Sequence, residues 1–397
     1  MDIFAPRSMS AKRTGALQDI LKKNQIGCAV YATGAAFVYL LDIPGFWFQR
    51  YSVTMGPDSD FGIPSLTRPE TIVLIPAEGE PAVFSIPLRA KDLEKEGIEP
   101  IVCFADYFSN HMEPFIHGGR VALGHSCRKA LENIVREADQ YHGTGLEFTD
   151  GEKFVDGLRM IKDEKEIGLL SKVAAFTDSV MEAVVPMLKP GVTPFKVEEE
   201  IQRLAMEGGA SDISFAGNCI CVEKGHPTAY DPYIFPKDRP MRPGTGIAFD
   251  MGFVIGGYCS DYGRTFFLGE PSKEARESYA ALQEAQLYCI ERIVPGRTKV
   301  TEVSDLIYEG LERFGRGHQL RNHADGTQGH QIGLEVHETP WLKRNSPDIA
   351  FQPGMVFALE PKIFIPNEVY MRVEDMVLVT ESGAKSLTVF DRKKFGL

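Results

Sequence analysis

Two stretches, FDMGFVIGGYCSDYGRTF (Phe249–Phe266) and FALEPKIFIPNEVYMRVEDMV (357–377), constrain the fold more than any other feature of the chain. Both are apolar, aromatic and punctuated by turn residues, so each reads as a half-buried hairpin. Yet the first carries Asp250 and Asp261, and the second Glu360 and Glu374. A turn about Ile255-Gly256, or within VIGG, sets Asp250 directly across from Asp261. A three-residue turn at Pro366-Asn367-Glu368 sets Glu360 opposite Glu374. Like charges on directly opposed residues, roughly 5 Å apart, destabilise a sheet. The same conflict therefore arises twice.

Few arrangements relieve it: a shared proton, pairing with Arg or Lys, or a bound cation. A shared proton answers one pair but not two. Arg264 and Arg372 lie close in sequence, and Arg372 shares a face with Glu374 by period two, so an ion-pair network is the plain structural alternative. The run GHQIGLEVHETP (Gly329–Pro340) shifts the balance by placing His330 and His337 between the two hairpins. Four carboxylates and an imidazole form a hard, mostly oxygen donor set, suited to two divalent ions such as Mn²⁺, Co²⁺ or Zn²⁺. Paired ions roughly 3.5–4 Å apart are a recurrent hydrolytic device.

The segments that lead into these hairpins repeat in outline. A helical pattern from about Lys162 to Leu188 ends at KPGVT, and Thr193-Pro194 then caps a second helix, PFKVEEEIQRLAMEGG. A hundred or so residues on, KEARESYAALQEAQLYCIERI ends at VPGRT and EVSDLIYEGLERFG follows, which predicts the same device again. Two related halves facing one another is the expected architecture. Upstream, GCAVYAT and TIVLIPAEGEPAVFSIP read as strands, the latter a hairpin about Glu78-Gly79, whereas ALQDILKKN and RKALENIVREADQY have helical spacing. The overall expectation is α/β (α+β), with a mixed α/β domain over 1–157 and a second domain over 158–397.

A chain of 397 residues is comfortable as two domains. Its net charge of −12 and lack of a dense basic block argue against nucleic acid as a partner. The seven cysteines are scattered and form no CxxC pair, which fits a reducing compartment. The opening MDIFAPRSMSAKR has no secretory apolar core. The most apolar region, IGCAVYATGAAFVYLLDIPGFWF, is broken by Gly34, Asp42, Pro44 and Gly45, so it reads as a strand, a turn and a second short element rather than a membrane span. A cytoplasmic protein without membrane association is expected.

In order, D-x10-D (Asp250, Asp261), the GH of His330, the Glu of ALEP (Glu360) and the Glu of RVED (Glu374) resemble the creatinase/aminopeptidase P/prolidase group of metallopeptidases, family M24. The likeness runs from about Leu158 to the end, with GLRMIKDEKEI, GLEVHETP and VEDMVLVTESGAKSLT as further matches. A weaker similarity to the family's N-terminal domain covers ILKKNQIGCAVYATGAAFVYLLDIPG. The resemblance implies a creatinase-like N-terminal domain, then a pita-bread domain with two pseudo-symmetric halves around two divalent metal ions. It assigns Asp250 and Asp261 to one ion, with Asp261 reaching the second. His330 completes that second site, and Glu360 and Glu374 bridge or close both. A water held by both metals would then be a hydroxide at neutral pH. The resemblance further makes Glu360 the proton acceptor and shuttle, and places His337 on the substrate carbonyl or developing oxyanion. Arg372 would orient Glu374 or an acid beside it.

The departures concern the substrate. Where family peptidases carry a shuttle histidine, this chain has Lys224, with His226 two residues on; either donates to a leaving nitrogen, or His226 is an ordinary loop residue. Lys362 stands where a glycine follows Glu-Pro, and Met371 where a glycine or aliphatic residue is usual. The expected function is cleavage of the bond before proline, as an Xaa-Pro aminopeptidase or dipeptidase. The alternative is a creatinase-like hydrolase or lyase of a small non-peptide C–N compound or osmolyte. A non-catalytic binding module fits less well, since all five ligand positions are filled. The partner is a small peptide or other small molecule. Family members commonly form homodimers, and PGFWFQRY (Pro44–Tyr51) suits a lid or interface there, or a hydrophobic edge packed within its own domain.

Overall fold

A computed structural model describes residues 8–48, 69–116, 119–139, 145–223, 235–365 and 369–395. The chain divides into two compact units, Met1–Arg159 and Met160–Leu397.

In the first unit, β1 (Cys28–Ala32), β2 (Thr71–Pro76), β3 (Ala82–Ser85), β4 (Ile101–Val102), β5 (Arg120–Leu123) and β6 (Glu147–Asp150) form one mixed sheet in the order β4-β3-β2-β1-β5-β6. The central strand β1 is buried at all five positions, which is why CAVYA reads as a continuous apolar run rather than an alternating one. β2 and β3 make the expected hairpin, with Leu74 opposite Ala82 and Gly79 at φ 106° in the turn. The apolar region after β1 becomes a seven-residue helix, Ala35–Leu41, every residue of it buried, which ends at Asp42 in the left-handed conformation. No described helix is long and apolar enough to cross a membrane. Helix Arg128–Asp139 buries Leu131, Ile134, Val135 and Ala138, the apolar stripe its spacing predicts. Of the aromatic run after Pro44, Phe46 and Phe48 are buried and Trp47 is exposed; Gln49–Tyr51 lie outside the described residues.

The second unit opens with helix Glu164–Val184. Asp163 starts it with a capping box: its carboxylate accepts from Glu166 N at 2.9 Å, and the Glu166 carboxylate accepts from Asp163 N at 3.0 Å. After the KPGVT turn, Thr193 caps helix Pro194–Glu207 by accepting from Lys196 N. An antiparallel sheet follows, built from β7 (Asp212–Glu223), β8 (Thr245–Ile255), β9 (Tyr258–Cys259) and β10 (Thr265–Phe267). Helices Lys273–Arg292 and Val303–Glu312 introduce the second half. There β11 (Gly329–Gln331), β12 (Glu338–Trp341) and β13 (Val356–Leu359) precede the two-stranded ribbon β14 (Lys362–Ile365) and β15 (Val369–Arg372). β16 (Asp375–Thr380) and β17 (Gly383–Ser386) then complete a five-stranded sheet in the order β12-β11-β13-β16-β17. The repeated turn differs in detail. Thr298 does not cap the second helix; its hydroxyl accepts from Val294 N and donates to Arg292 O, closing the turn on itself.

One predicted register is corrected. The first hairpin turns at Gly256-Gly257, not at Ile255-Gly256, because both central residues take positive φ (58° and 84°), which glycine adopts and isoleucine resists. Val254 then pairs with Cys259 and Met251 with Tyr262, so Asp250 faces Gly263 rather than Asp261. The slip is two residues, and period two keeps both aspartates on one face as diagonal neighbours. In the second hairpin the pairs Lys362–Arg372 and Leu359–Asp375 bracket Glu360 and Glu374, so these two lie opposite as expected; the turn residues 366–368 lie outside the described ones. The two halves meet where Gly263 pairs with Glu374, Glu374 N donating to Gly263 O at 2.8 Å.

Candidate metal centre

The short span from Asp261 to Arg264 has β8 on one side and the Arg372–Glu374 segment on the other. That geometry gathers the acids. Asp250, Asp261 and Glu374 each offer a carboxylate oxygen within 4.8 Å of the others; His330, Glu360 and Glu374 form a second such group, and Asp261, His330 and His337 a third. His330 reaches this place from β11, where its backbone pairs with Ala358 of β13. The His330 and His337 rings stand edge to face with centroids 4.3 Å apart, a proximity their sequence spacing did not reveal. Lys224 and His226 lie outside the described residues.

Cations on the protein meet only part of this negative charge. Arg372, buried, touches Asp250 Oδ2 and approaches Glu374 Oε2 at 3.3 Å and Glu360 Oε2 at 3.6 Å. Lys362 pairs with Glu360 Oε2. Among the described residues, four carboxylates thus face two full cations. Asp261 Oδ1 and Glu374 Oε1 are buried with no hydrogen-bond partner among the described residues. An orphaned buried carboxylate oxygen is costly unless something positive meets it. The imidazole points to the same conclusion. His330 Nδ1 lies 3.0 Å from the Gln331 carbonyl, which only accepts, so Nδ1 carries the proton and Nε2 presents a lone pair toward Asp261 Oδ2, 3.4 Å away. Two acceptors that close need a proton or a cation between them.

Titration follows this geometry. Burial, then the charges of Asp250 and Glu360, pushes Asp261 well above the carboxylate range; burial and the Asp261 charge do the same to Glu374. Burial also raises Glu360, but the Lys362 and Arg372 charges outweigh it and bring this acid down to about 2. Burial lowers His330, keeping it neutral. The pocket therefore takes up protons in the absence of other positive charge, at the oxygens a hard divalent ion would use instead. The donor set, all carboxylate and imidazole, fits such ions.

Beneath the acids are supports whose partners the sequence did not reveal, Arg264 among them. Arg264 donates to Asp375 Oδ1 at 2.5 Å and to the Glu374 carbonyl at 2.6 Å, while Arg392 and Thr388 also hold Asp375. Lys162 donates to Gln331 Oε1 at 2.7 Å and Glu338 Oε2 at 3.0 Å, tying β11 to β12 on either side of His337. Period-two alternation was the available signal for Asp375, which must face away from Glu374. Gly263 is also committed: a Cβ there would lie 2.4 Å from Arg372 Cδ and 2.9 Å from Phe249 O. Gly263→Ala should cost about 1–3 kcal/mol by overpacking, read from urea unfolding. An unchanged midpoint would mean that Arg372 has room to move aside.

A family model described as metallopeptidase family M24 matches residues 168–381, more than half of the chain. The chain belongs to metallopeptidase family M24. Within the family, it is 37% identical over 231 residues to the probable dipeptidase PepE of Mycobacterium tuberculosis, covering 58% of this chain and 59% of the relative. It is 32% identical over 245 residues to an uncharacterized peptidase of Staphylococcus aureus, covering 62% and 67%. The match thus spans less than two thirds of the mycobacterial relative. Among solved structures, the prolidase of Thermococcus sibiricus superposes with a TM-score of 0.80 at 23% identity, over 99% of this chain and 100% of that one. The Xaa-Pro dipeptidase of Bacillus anthracis gives 0.78 at 22%, over 98% and 100%. Dipeptidase PepE of Mycobacterium ulcerans gives 0.78 at 24%, over 99% of both chains. These likenesses establish the fold: the mixed α/β N-terminal unit and the pita-bread arrangement of the second.

Proposed function

We propose that this M24 chain is a hydrolase dependent on two divalent ions, cleaving the bond before proline as an Xaa-Pro dipeptidase or aminopeptidase in the cytoplasm, and that it works as a homodimer. The observation that carries the metal reading is the pair of oxygens, Asp261 Oδ1 and Glu374 Oε1, that have no partner among the described residues, in an acid cluster that the two described cations leave underneutralised. Asp250, Asp261 and Glu374 would hold one ion, and His330, Glu360 and Glu374 the other, with Asp261 reaching both. Ions such as Mn²⁺, Co²⁺ or Zn²⁺ bound there would acidify water and polarise the substrate carbonyl. Glu360, kept ionised by its cationic neighbours, accepts the proton of the attacking water and passes it to the leaving nitrogen. His337, edge to face with His330, donates to the carbonyl oxygen as charge develops on it. Arg372 fixes Asp250 and Glu374 and so sets where both carboxylates point. Lys224 or His226 is the alternative proton donor to the leaving nitrogen.

The names of the mycobacterial relatives support a dipeptide substrate, as do the dipeptidase and prolidase neighbours in fold. Lys362, a cation where the pocket of a proline peptidase usually has glycine, keeps a small non-peptide substrate as the second reading. Elemental analysis should find close to two divalent ions per chain. Xaa-Pro dipeptides should be cut in preference to longer Xaa-Pro peptides; the reverse preference makes the chain an aminopeptidase, and metal-loaded protein inert toward both moves the assignment to a non-peptide C–N bond. Chelation should abolish turnover and lower the melting temperature, because ions at a hundredfold excess over Kd stabilise by about 2.7 kcal/mol. Full activity after exhaustive chelation would overturn the metal reading.

A further inference from the structure

We propose that Lys362 is a resident cation on Glu360, which an ion entering the His330–Glu360–Glu374 group must displace, so that this group binds its ion more weakly than the Asp250–Asp261–Glu374 group. The inference rests on the two-ion reading above. Lys362 begins β14 directly across from Arg372 of β15, so two cations occupy a position where like charges repel. The backbone locks the pair in place: the Lys362 carbonyl accepts from Arg321 N at 2.8 Å, and Thr265 Oγ1 accepts from Arg372 N at 2.9 Å. Glu360 reconciles them, since its Oε2 meets the Lys362 ammonium and lies 3.6 Å from Arg372 Nη2.

The two donor groups are therefore unequal. Arg372 serves both, touching Asp250 as well as Glu360 and Glu374, but among the described residues Lys362 pairs with Glu360 alone. Of the two oxygens with no partner among the described residues, that of Glu374 is shared by both groups and that of Asp261 lies in the first; Asp250 of the first group and Glu360 of the second each meet Arg372, and Glu360 carries Lys362 as well. An ion placed at Glu360 meets a charge that its counterpart does not, and the Lys362 side chain must swing off the carboxylate before the site fills. The lysine is only 17% exposed, so it leaves a semi-enclosed position rather than open solvent.

Calorimetric titration of metal-free protein with Mn²⁺ tests this. The wild type should bind a first ion at least about tenfold more tightly than a second. Lys362→Met, which keeps the aliphatic stem and removes the charge, should tighten the second ion about tenfold or more and change the first by less than about threefold. Lys362→Arg should resemble the wild type. Lys362→Gln replaces the methionine variant if that one does not fold, as judged by circular dichroism of the metal-free protein. Mass-spectrometric labelling with an amine-reactive reagent gives a second readout in the wild type: Lys362 should become more reactive only as the second ion binds. Equal affinities in wild type and Lys362→Met, or labelling indifferent to Mn²⁺, overturn the proposal and leave the two-ion reading standing. Absence of Mn²⁺ binding by either protein overturns the two-ion reading, and this inference with it.

Discussion

Glu360→Ala should lower kcat by at least about 10³-fold, since a positioned general base alone contributes about 10²–10⁴ and this side chain would also help hold an ion. Thermal unfolding of the metal-free variant should fall below that of the wild type. The Lys362 and Arg372 charges outweigh burial at Glu360 and hold its carboxyl below the ordinary range, so its removal loses more in pairing with these cations than it gains from relieved repulsion by Asp261 and Glu374. Glu360→Gln separates the two roles: it keeps the shape and one oxygen donor but cannot take a proton. Both variants should lose turnover with KM little changed, the pattern of an interaction made chiefly in the transition state. Steady-state kinetics on metal-saturated protein decides the matter. Undiminished kcat in either variant would remove Glu360 as the base.

Asp375→Ala should be the most destabilising substitution near the centre. Asp375 is fully buried and meets Arg264, Arg392 and Thr388. Removing it leaves two guanidiniums without their counter-charge, and breaking a buried pair on one side costs about 3–5 kcal/mol. For a unit of this size that is a fall in Tm of roughly 10 °C. Acid should act the same way on the wild type. Burial alone raises Asp375, but Arg264 and Arg392 outweigh it and hold this carboxyl below its ordinary range. A depressed folded-state pKa contributes stability above the unfolded value, which is lost as pH falls through the folded value. The wild type should therefore lose stability on acidification through a step absent from Asp375→Ala. Parallel stability–pH curves for the two proteins would show that the pair contributes nothing.

Much of this was legible in the chain because the local rules agree with the global fold. Thr193-Pro194 and Asp163 through Glu166 start helices where their side chains permit it. Alternation placed Glu360 against Glu374, and even a misplaced turn left Asp250 and Asp261 on one face. The error there was one of turn chemistry: an even-length loop could be centred at either of two adjacent places, and only the requirement for positive φ at both central residues selects Gly256-Gly257. The contacts that escaped the sequence are long-range. Nothing near Lys162 announces Gln331 and Glu338 as its partners, and nothing near Arg264 announces Arg392 behind Asp375. Lys362 was visible as an oddity, but its grip on Glu360 depends on a side-chain direction that no spacing encodes.

The pairing of Gly263 with Glu374 makes a seam between the halves, and the charged groups lie along both its flanks. Parting that seam would carry Asp250 and Asp261 away from Glu360 and Glu374 in a single motion. A divalent ion bound among them would act as a rivet as well as a reagent. Its removal should then loosen the two halves, measured as faster amide exchange at Gly263 and Glu374 than at the strand centres beside them.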